Sequence, residues 1–443
     1  MKKLSILLIV ALLSALFVLP AAAQSITWTS GFQVQNLSGT DASIFIYYYN
    51  QDGTEAIPPV SDTIPAMGSK TYFPIHAADG FNGSVVVEST EPVVAIANTL
   101  GNSPQYMAST ESFDAGATSV NLPLIMRGNA GYYTWFNVQN AGTTDATVSV
   151  EYIPAEGSAY TEPDVVIKPG ASHTFNQRDI DALGAKFVGS AIVSSDVPVV
   201  ATVMQVGETF QNMMGYNGFT GGSTTVSMPL IMANNSGFYT GVQVQNVGSQ
   251  PANVTVDYGT NIGGSFDPAN ETATLDPGES TTFLQNSGQF ATPKYVGSAT
   301  ITSDQPVVAI VNQVMMSGVV LGTAYNGFDP GAATDSVSAP LIMANNGGFY
   351  TGIQVMNVGG APVEITLDYG PNTAGTYNPP NETATIQPGD SYNSIQNAGA
   401  WAGNKYVGSL SVSAPDGSQI VMIVNEFLAS SSDTFMTYNG FNY

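Results

Sequence analysis

The chain has 443 residues, with 9 Lys+Arg against 33 Asp+Glu, a formal net charge of −24 and no cysteine. So acidic a balance excludes electrostatic capture of nucleic acid or anionic lipid. The missing cysteines exclude disulfides and thiol chemistry. Charged residues make up only 9%, while 46 Gly, 26 Pro and a 43% hydrophobic fraction describe a folded β-rich chain rather than a disordered one.

Residues 1–23 read as a signal peptide. Lys2 and Lys3 form a basic start, Leu4 to Leu19 an apolar run, and Ala21-Ala22-Ala23 a small-residue cleavage site. The expected product begins near Gln24 and is secreted, extracellular or held at the cell surface. It carries no second apolar run long enough to span a membrane.

Beyond residue 23 the chain is organised by repetition. Val226 to Asn246 (VSMPLIMANNSGFYTGVQVQN) recurs from Val120 and from Val337, and a shortened copy, ITWTSGFQVQN, covers Ile26 to Asn36. Pro123, Pro229 and Pro340 lie roughly 110 residues apart, one small domain's length and enough to bury a core without disulfides. The expected divisions are 24–116, 117–222, 223–333 and 334–443. In each, short segments alternate apolar and polar residues, as at Phe32/Val34, Ile44/Ile46/Tyr48 and Val148/Val150/Tyr152, with turn signals such as Pro169-Gly170, Pro277-Gly278 and Pro388-Gly389 between them. No stretch has the period of a long helix; one short turn is expected around Arg178 to Leu183. The predicted fold is all-β, four antiparallel β-sandwiches in tandem.

The Val244-Gln245-Asn246-Val247-Gly248 strand, the Pro-Gly-x-Ser turn and the strand pair from Gly297 to Ala309 resemble the tandem immunoglobulin-like repeats of bacterial and archaeal secreted surface proteins. The resemblance implies immunoglobulin-like sandwiches used for surface display or assembly, and no particular ligand.

Four units share three copies of the proline strand, carried by Pro123-Leu124-Ile125, Pro229-Leu230-Ile231 and Pro340-Leu341-Ile342. Either the first unit lacks its opening strand or the last lacks its closing one, and an uncovered edge is a template for another chain. The expected function is thus an extracellular structural subunit of a filament, sheath or surface layer that self-associates end to end by strand addition. The alternative is a monomeric rod, about 140 Å long at roughly 35 Å per unit, that binds cell-surface polysaccharide through exposed rings of Tyr47, Tyr49 and Trp401.

Three of the few basic residues, Lys186, Lys294 and Lys405, recur at one position, and Glu151, Asp257 and Asp368 recur at another; the first unit has lost both. Joint loss predicts contact, as a surface ion pair or, by the resemblance, as a self-formed amide from lysine to Asn140, Asn246 or Asn357. Each late unit also ends in Tyr-Asn-Gly-Phe, expected to form a closing turn with positive φ at Asn-Gly; the first unit has Thr110-Glu111-Ser112-Phe113 there. Catalytic residues, cofactor and metal are not expected, since His76 and His173 occupy unmatched positions and no nucleophile motif occurs.

Overall fold

Period-two alternation sets the strands of the computed structural model, which describes residues 26–102, 106–316, 320–428 and 433–443. The signal-peptide reading lies outside these residues. Repeat 1 supplies β1 (Trp28–Asn36), β2 (Ala42–Asn50), β3 (Glu55–Ile64), β4 (Ser69–Tyr72), β5 (Gly83–Ser89), β6 (Val93–Gly101) and β7 (Tyr106–Glu111). Repeat 2 supplies β8 (Ala117–Arg127), β9 (Tyr132–Asn140), β10 (Ala146–Pro154), β11 (Tyr160–Ile167), β12 (Ser172–Asn176), β13 (Phe187–Gly207) and β14 (Asn212–Asn217). Repeat 3 supplies β15 (Ser223–Ala233), β16 (Phe238–Asn246), β17 (Ala252–Tyr258), β18 (Glu271–Leu275), β19 (Ser280–Leu284), β20 (Tyr295–Met315) and β21 (Leu321–Asn326). Repeat 4 supplies β22 (Ser336–Ala344), β23 (Phe349–Asn357), β24 (Val363–Tyr369), β25 (Glu382–Ile386), β26 (Ser391–Ile395), β27 (Tyr406–Ser413), β28 (Ile420–Leu428), β29 (Phe435–Asn439) and β30 (Phe441–Asn442). Among the described residues only single 3-10 turns are helical; two of them, Gln177–Asp179 and Asp181–Leu183, fall at the expected short turn.

All ladders are antiparallel. In repeat 2, β8 and β10 flank the first half of the long strand β13, with β11 outside β10; β9 and β14 flank its second half, with β12 outside β9. Repeat 3 copies this with β20 as the shared strand. In repeat 4 the long strand is broken into β27 and β28. Alternate residues such as Val254, Val256 and Tyr258 point into the core between the two layers while Asn253 and Asp257 point out.

Repeat 1 differs at one place. Its layers are β4-β1-β6-β7 and β3-β2-β5, and among the described residues no strand lies beyond β5. The proline strands β8, β15 and β22 pair with β13, β20 and β27 of the repeat that follows them in sequence. Among the described residues it is therefore repeat 1 that has no counterpart of β8, β15 and β22.

The expected rod is replaced by a closed ring. Ser84 Oγ donates to the Gly170 carbonyl (2.5 Å), Ser190 to Gly278 (2.5 Å), Ser298 to Gly389, and Ser409 to the Met67 carbonyl of repeat 1 (3.3 Å). Each repeat thus holds the next by one serine on one turn, and the fourth returns to the first. Closure also shares cores: Ile310 of repeat 3 is buried with the core of repeat 2, Ile423 of repeat 4 with that of repeat 3, and Ile96 of repeat 1 with that of repeat 4. The outward faces of the VQN strands meet the neighbouring repeat instead of water, so Gln33, Gln35, Gln243 and Gln245 are buried although polar.

Candidate functional site: the seams and the axis

The strands β7, β14, β21 and β29 face one another around the middle of the ring. At their ends a girdle of side chains closes the circle. Asn217 Nδ2 donates to the Glu111 carbonyl (2.8 Å) and its Oδ1 accepts from the Glu111 amide (3.1 Å). Asn326 does the same to Asn217 (2.7 and 3.0 Å), and Asn439 to Asn326 (2.7 and 3.1 Å). Glu111 stands in the fourth position and accepts from the Asn439 amide at 2.5 Å. Beside this girdle runs a second: Gln205 pairs reciprocally with Asn312, Gln313 with Asn425, and Asn98 Nδ2 donates to Glu426 Oε2 (3.3 Å). Both carboxylic acids sit in the closing seam between repeats 4 and 1, where the 2–3 and 3–4 seams carry amides.

Burial acts on these acids. Desolvation pushes the Glu426 carboxyl, fully buried with one oxygen unpartnered, up to about 8. It pushes Glu111, half-exposed as a residue but with its carboxyl turned into the seam, up to about 7. A third acid, Asp433, lies nearer the other end of the same strands, 1% exposed, and accepts from the Met213 amide (2.8 Å), the Gly322 amide (3.1 Å) and the Met107 amide. One carboxyl of repeat 4 thereby ties the other three repeats, and burial raises its pKa well above the usual carboxylate range.

The Tyr-Asn-Gly-Phe segments belong to this machinery. They are not positive-φ turns: neither Asn217 nor Gly218 has positive φ. The asparagines build the girdle. Tyr216 donates to the Leu124 carbonyl (2.8 Å) and accepts from the Leu124 amide (3.3 Å), and Tyr325 and Tyr438 serve Leu230 and Leu341 in the same way. They are needed because the ladder slips at each proline, leaving the next residue without a strand partner. Glycine is required because a Cβ at Gly218 would lie 2.5 Å from Val120 Cγ1. Replacing Tyr216 or Tyr325 by Phe strands a buried N–H and a buried C=O; a loss of about 2–3 kcal/mol is expected in urea melts. A loss under about 0.5 kcal/mol, the size of an ordinary surface change, would show the strut to be idle.

Among the described residues the seam between repeats 1 and 2 has no proline strand. Elsewhere that strand lies between its own core and the next repeat: β8 packs on β16 and β20, β15 on β23 and β28, β22 on β1 and β6. Yet this seam is pinned at the same two places as the others, by Ser84 on Gly170 and by Asn217 on Glu111. Among the described residues, no strand fills the place at this seam that β8, β15 and β22 take at the others. On one side Val85, Val87, Ala95 and Ala97 are half-buried, whereas their counterparts Ala191, Val193, Ala201 and Val203 are at most 1% exposed. On the other, Trp135, Asn137, Gln139 and Thr202 are half-buried, whereas the matching Gln243, Gln245 and Ile310 are at most 2% exposed. Thr110 replaces the strut tyrosine, as it should where there is no strand to hold. Trp28 meets Trp135 edge-on at 6.0 Å at the end of this gap.

Several expected sites are corrected. Lys186, Lys294 and Lys405 and their acids Glu151, Asp257 and Asp368 are all exposed, and none of the ion pairs among the described residues joins them. The register explains why: Asp257 sits opposite Thr300, six residues along from Lys294, or about 20 Å at strand rise. The asparagines of the expected amide crosslink are engaged elsewhere. Asn246 is buried and spends both amide hydrogens on Gln250 and Leu275 carbonyls, and Asn140 and Asn357 are held likewise. Trp401 is no exposed platform; it is 4% exposed among Tyr369, Tyr377 and Tyr406. Tyr47 and Tyr49 are half-buried and stacked (6.4 Å, 14°), and the Tyr49 ring packs on the Gly170 turn. Among the described residues no cluster of His, Asp and Glu is arranged to hold a metal ion, and no helix is long and apolar enough to cross a membrane.

The geometry defines an all-β chain closed on itself in which, among the described residues, one strand position has no occupant. Neither a protein-family model nor a curated protein matches the chain. The crystal structure of Thermotoga maritima 1070 is similar over 24% of this chain and 94% of that one, at 22% identity and a TM-score of 0.21, a likeness too slight to assign anything.

Proposed function

We propose that the chain is a secreted, non-enzymatic structural protein of four immunoglobulin-like sandwiches, built to receive a β-strand from another chain at the surface of the cell. The observation that carries this reading is the seam between repeats 1 and 2, where β5 has no outer strand partner among the described residues and the repeat 1 side is apolar. Uncovered edges of that kind recruit strands by main-chain pairing. The signal-peptide reading of residues 1–23 and the acidic, cysteine-free composition support export.

Hydrogen exchange tests it. In purified chain the outward amides of β5 should exchange far faster than those of β13, its counterpart covered by β8. In native cell-surface material the same β5 amides should be protected. Equal, rapid exchange of β5 in both samples would refute strand acceptance.

A further inference from the structure

Resting on that reading, we propose that the strand received is a segment of a different protein with the form hydroxyl or amide residue, any residue, proline, then two or three aliphatic residues, and that Asn137 and Gln139 recognise it. Donation by a second copy is disfavoured by the pairing already made: β8, β15 and β22 are each held in their own sheet, and releasing one would open a core.

The strands of the three filled seams share one form, and one of those seams shows side chains of the next repeat bonded to it. Their occupants read Asn121-Leu-Pro-Leu-Ile-Met, Ser227-Met-Pro-Leu-Ile-Met and Ser338-Ala-Pro-Leu-Ile-Met. Where repeat 4 meets repeat 1, Gln33 Nε2 donates to the Pro340 carbonyl, and Ser338 Oγ donates to Gln35 Oε1 at 2.8 Å. Strand alignment puts Asn137 and Gln139 of β9 in the places of Gln33 and Gln35. Asn137 Oδ1 accepts from Thr174 (2.6 Å) and Gln139 Nε2 donates to the Gly170 carbonyl (3.1 Å). Asn137 Nδ2 and Gln139 Oε1 have no partner among the described residues, and they are the donor and the acceptor that a proline carbonyl and a hydroxyl two residues earlier require.

The proline has its own reason. In the filled seams the ladder skips two residues, Pro-Leu, opposite the serine that reaches to the next repeat. Ser84 is engaged in this way already, so an incoming strand must bulge there, where proline loses no ladder bond. The aliphatic residues then fall on Val85, Val87, Ala95 and Ala97. Because Thr110 replaces the strut tyrosine, the received strand is held less firmly than the built-in ones, and binding is reversible.

The test uses the purified chain, with and without residues 1–23, and a peptide copying Thr225–Ala233, followed by tryptophan emission from Trp28 and Trp135 and by exchange of the β5 amides. The peptide should bind the form lacking residues 1–23 and protect β5. Changing its serine to alanine should weaken binding about fivefold, the effect of one net hydrogen bond. Asn137→Gln, which lengthens the short donor, should tighten it by a similar factor. If no copy peptide binds or protects β5, strand acceptance itself falls. If a scrambled aliphatic peptide binds equally and Asn137→Gln changes nothing, the seam still accepts strands but the recognition rule is wrong.

Discussion

Raising the pH from 5 to 9 should destabilise the ring, and Glu426→Gln should remove a large share of that loss, the rest falling to Glu111 and Asp433. Glu426 has a folded pKa pushed from 4.5 up to about 8 by burial. The folded state therefore holds its proton over a range in which the unfolded chain has released it. The stability contributed is complete at and below about pH 4.5, declines as the pH rises toward 8, and is gone beyond. At about 1.4 kcal/mol per unit, the change is on the order of 4 kcal/mol. Glu111, pushed up to about 7, acts in the same direction. The groups that face these acids are Asn98, Ser109, Tyr438 and the Asn439 amide, none of them basic. His173, whose pKa burial lowers, pulls the opposite way only below its unfolded value near 6.5, so the interval from 7 to 9 reports the acids. Glutamine at 426 restores the amide pair seen at Gln205–Asn312, and asparagine at 111 completes the girdle. Urea midpoints that stay flat from pH 5 to 9 in the unaltered chain would contradict the assignment.

Asp433→Ala should be the most damaging single change on the axis. It removes the acceptor of three buried amides drawn from three repeats. Each orphaned donor costs about 1–3 kcal/mol, so the total should be about 3–9 kcal/mol. Asp433→Asn should recover only part, since an amide turns one end into a donor facing donors. The transition should also broaden, because the repeats lose a common tie and unfold less cooperatively. An Asp433→Ala chain within about 1 kcal/mol of the original would mean that water replaces the carboxyl.

The strands and their inward faces were legible from the sequence, because period-two alternation at Val254/Val256/Tyr258 or Ile44/Ile46/Tyr48 marks the apolar side directly. The odd count of proline strands was legible as two possible assignments, and the described pairing joins each copy to the repeat that follows it. Ring closure was not. Alternation identifies which face is apolar but not whether the polar face is wet, and Gln33, Gln35 and Gln245 are polar residues buried against the next repeat. The asparagine of Tyr-Asn-Gly-Phe has the composition of a turn, and its true partner is another repeat's backbone some hundred residues away. Lysine and acid vanish together from repeat 1 without ever touching. The informative joint loss was a different one: proline strand, strut tyrosine and the isoleucine replaced by Thr202 are all missing at the same seam.

Small-angle X-ray scattering tests the closed ring most directly. A chain closed by Ser409 on Met67 and by Asn439 on Glu111 should scatter with a radius of gyration near the compact-chain value of about 22 Å. Four sandwiches strung into a rod of about 140 Å would give about 40 Å instead, from the same per-unit scaling. A value near the first supports the ring. A value near the second would contradict it.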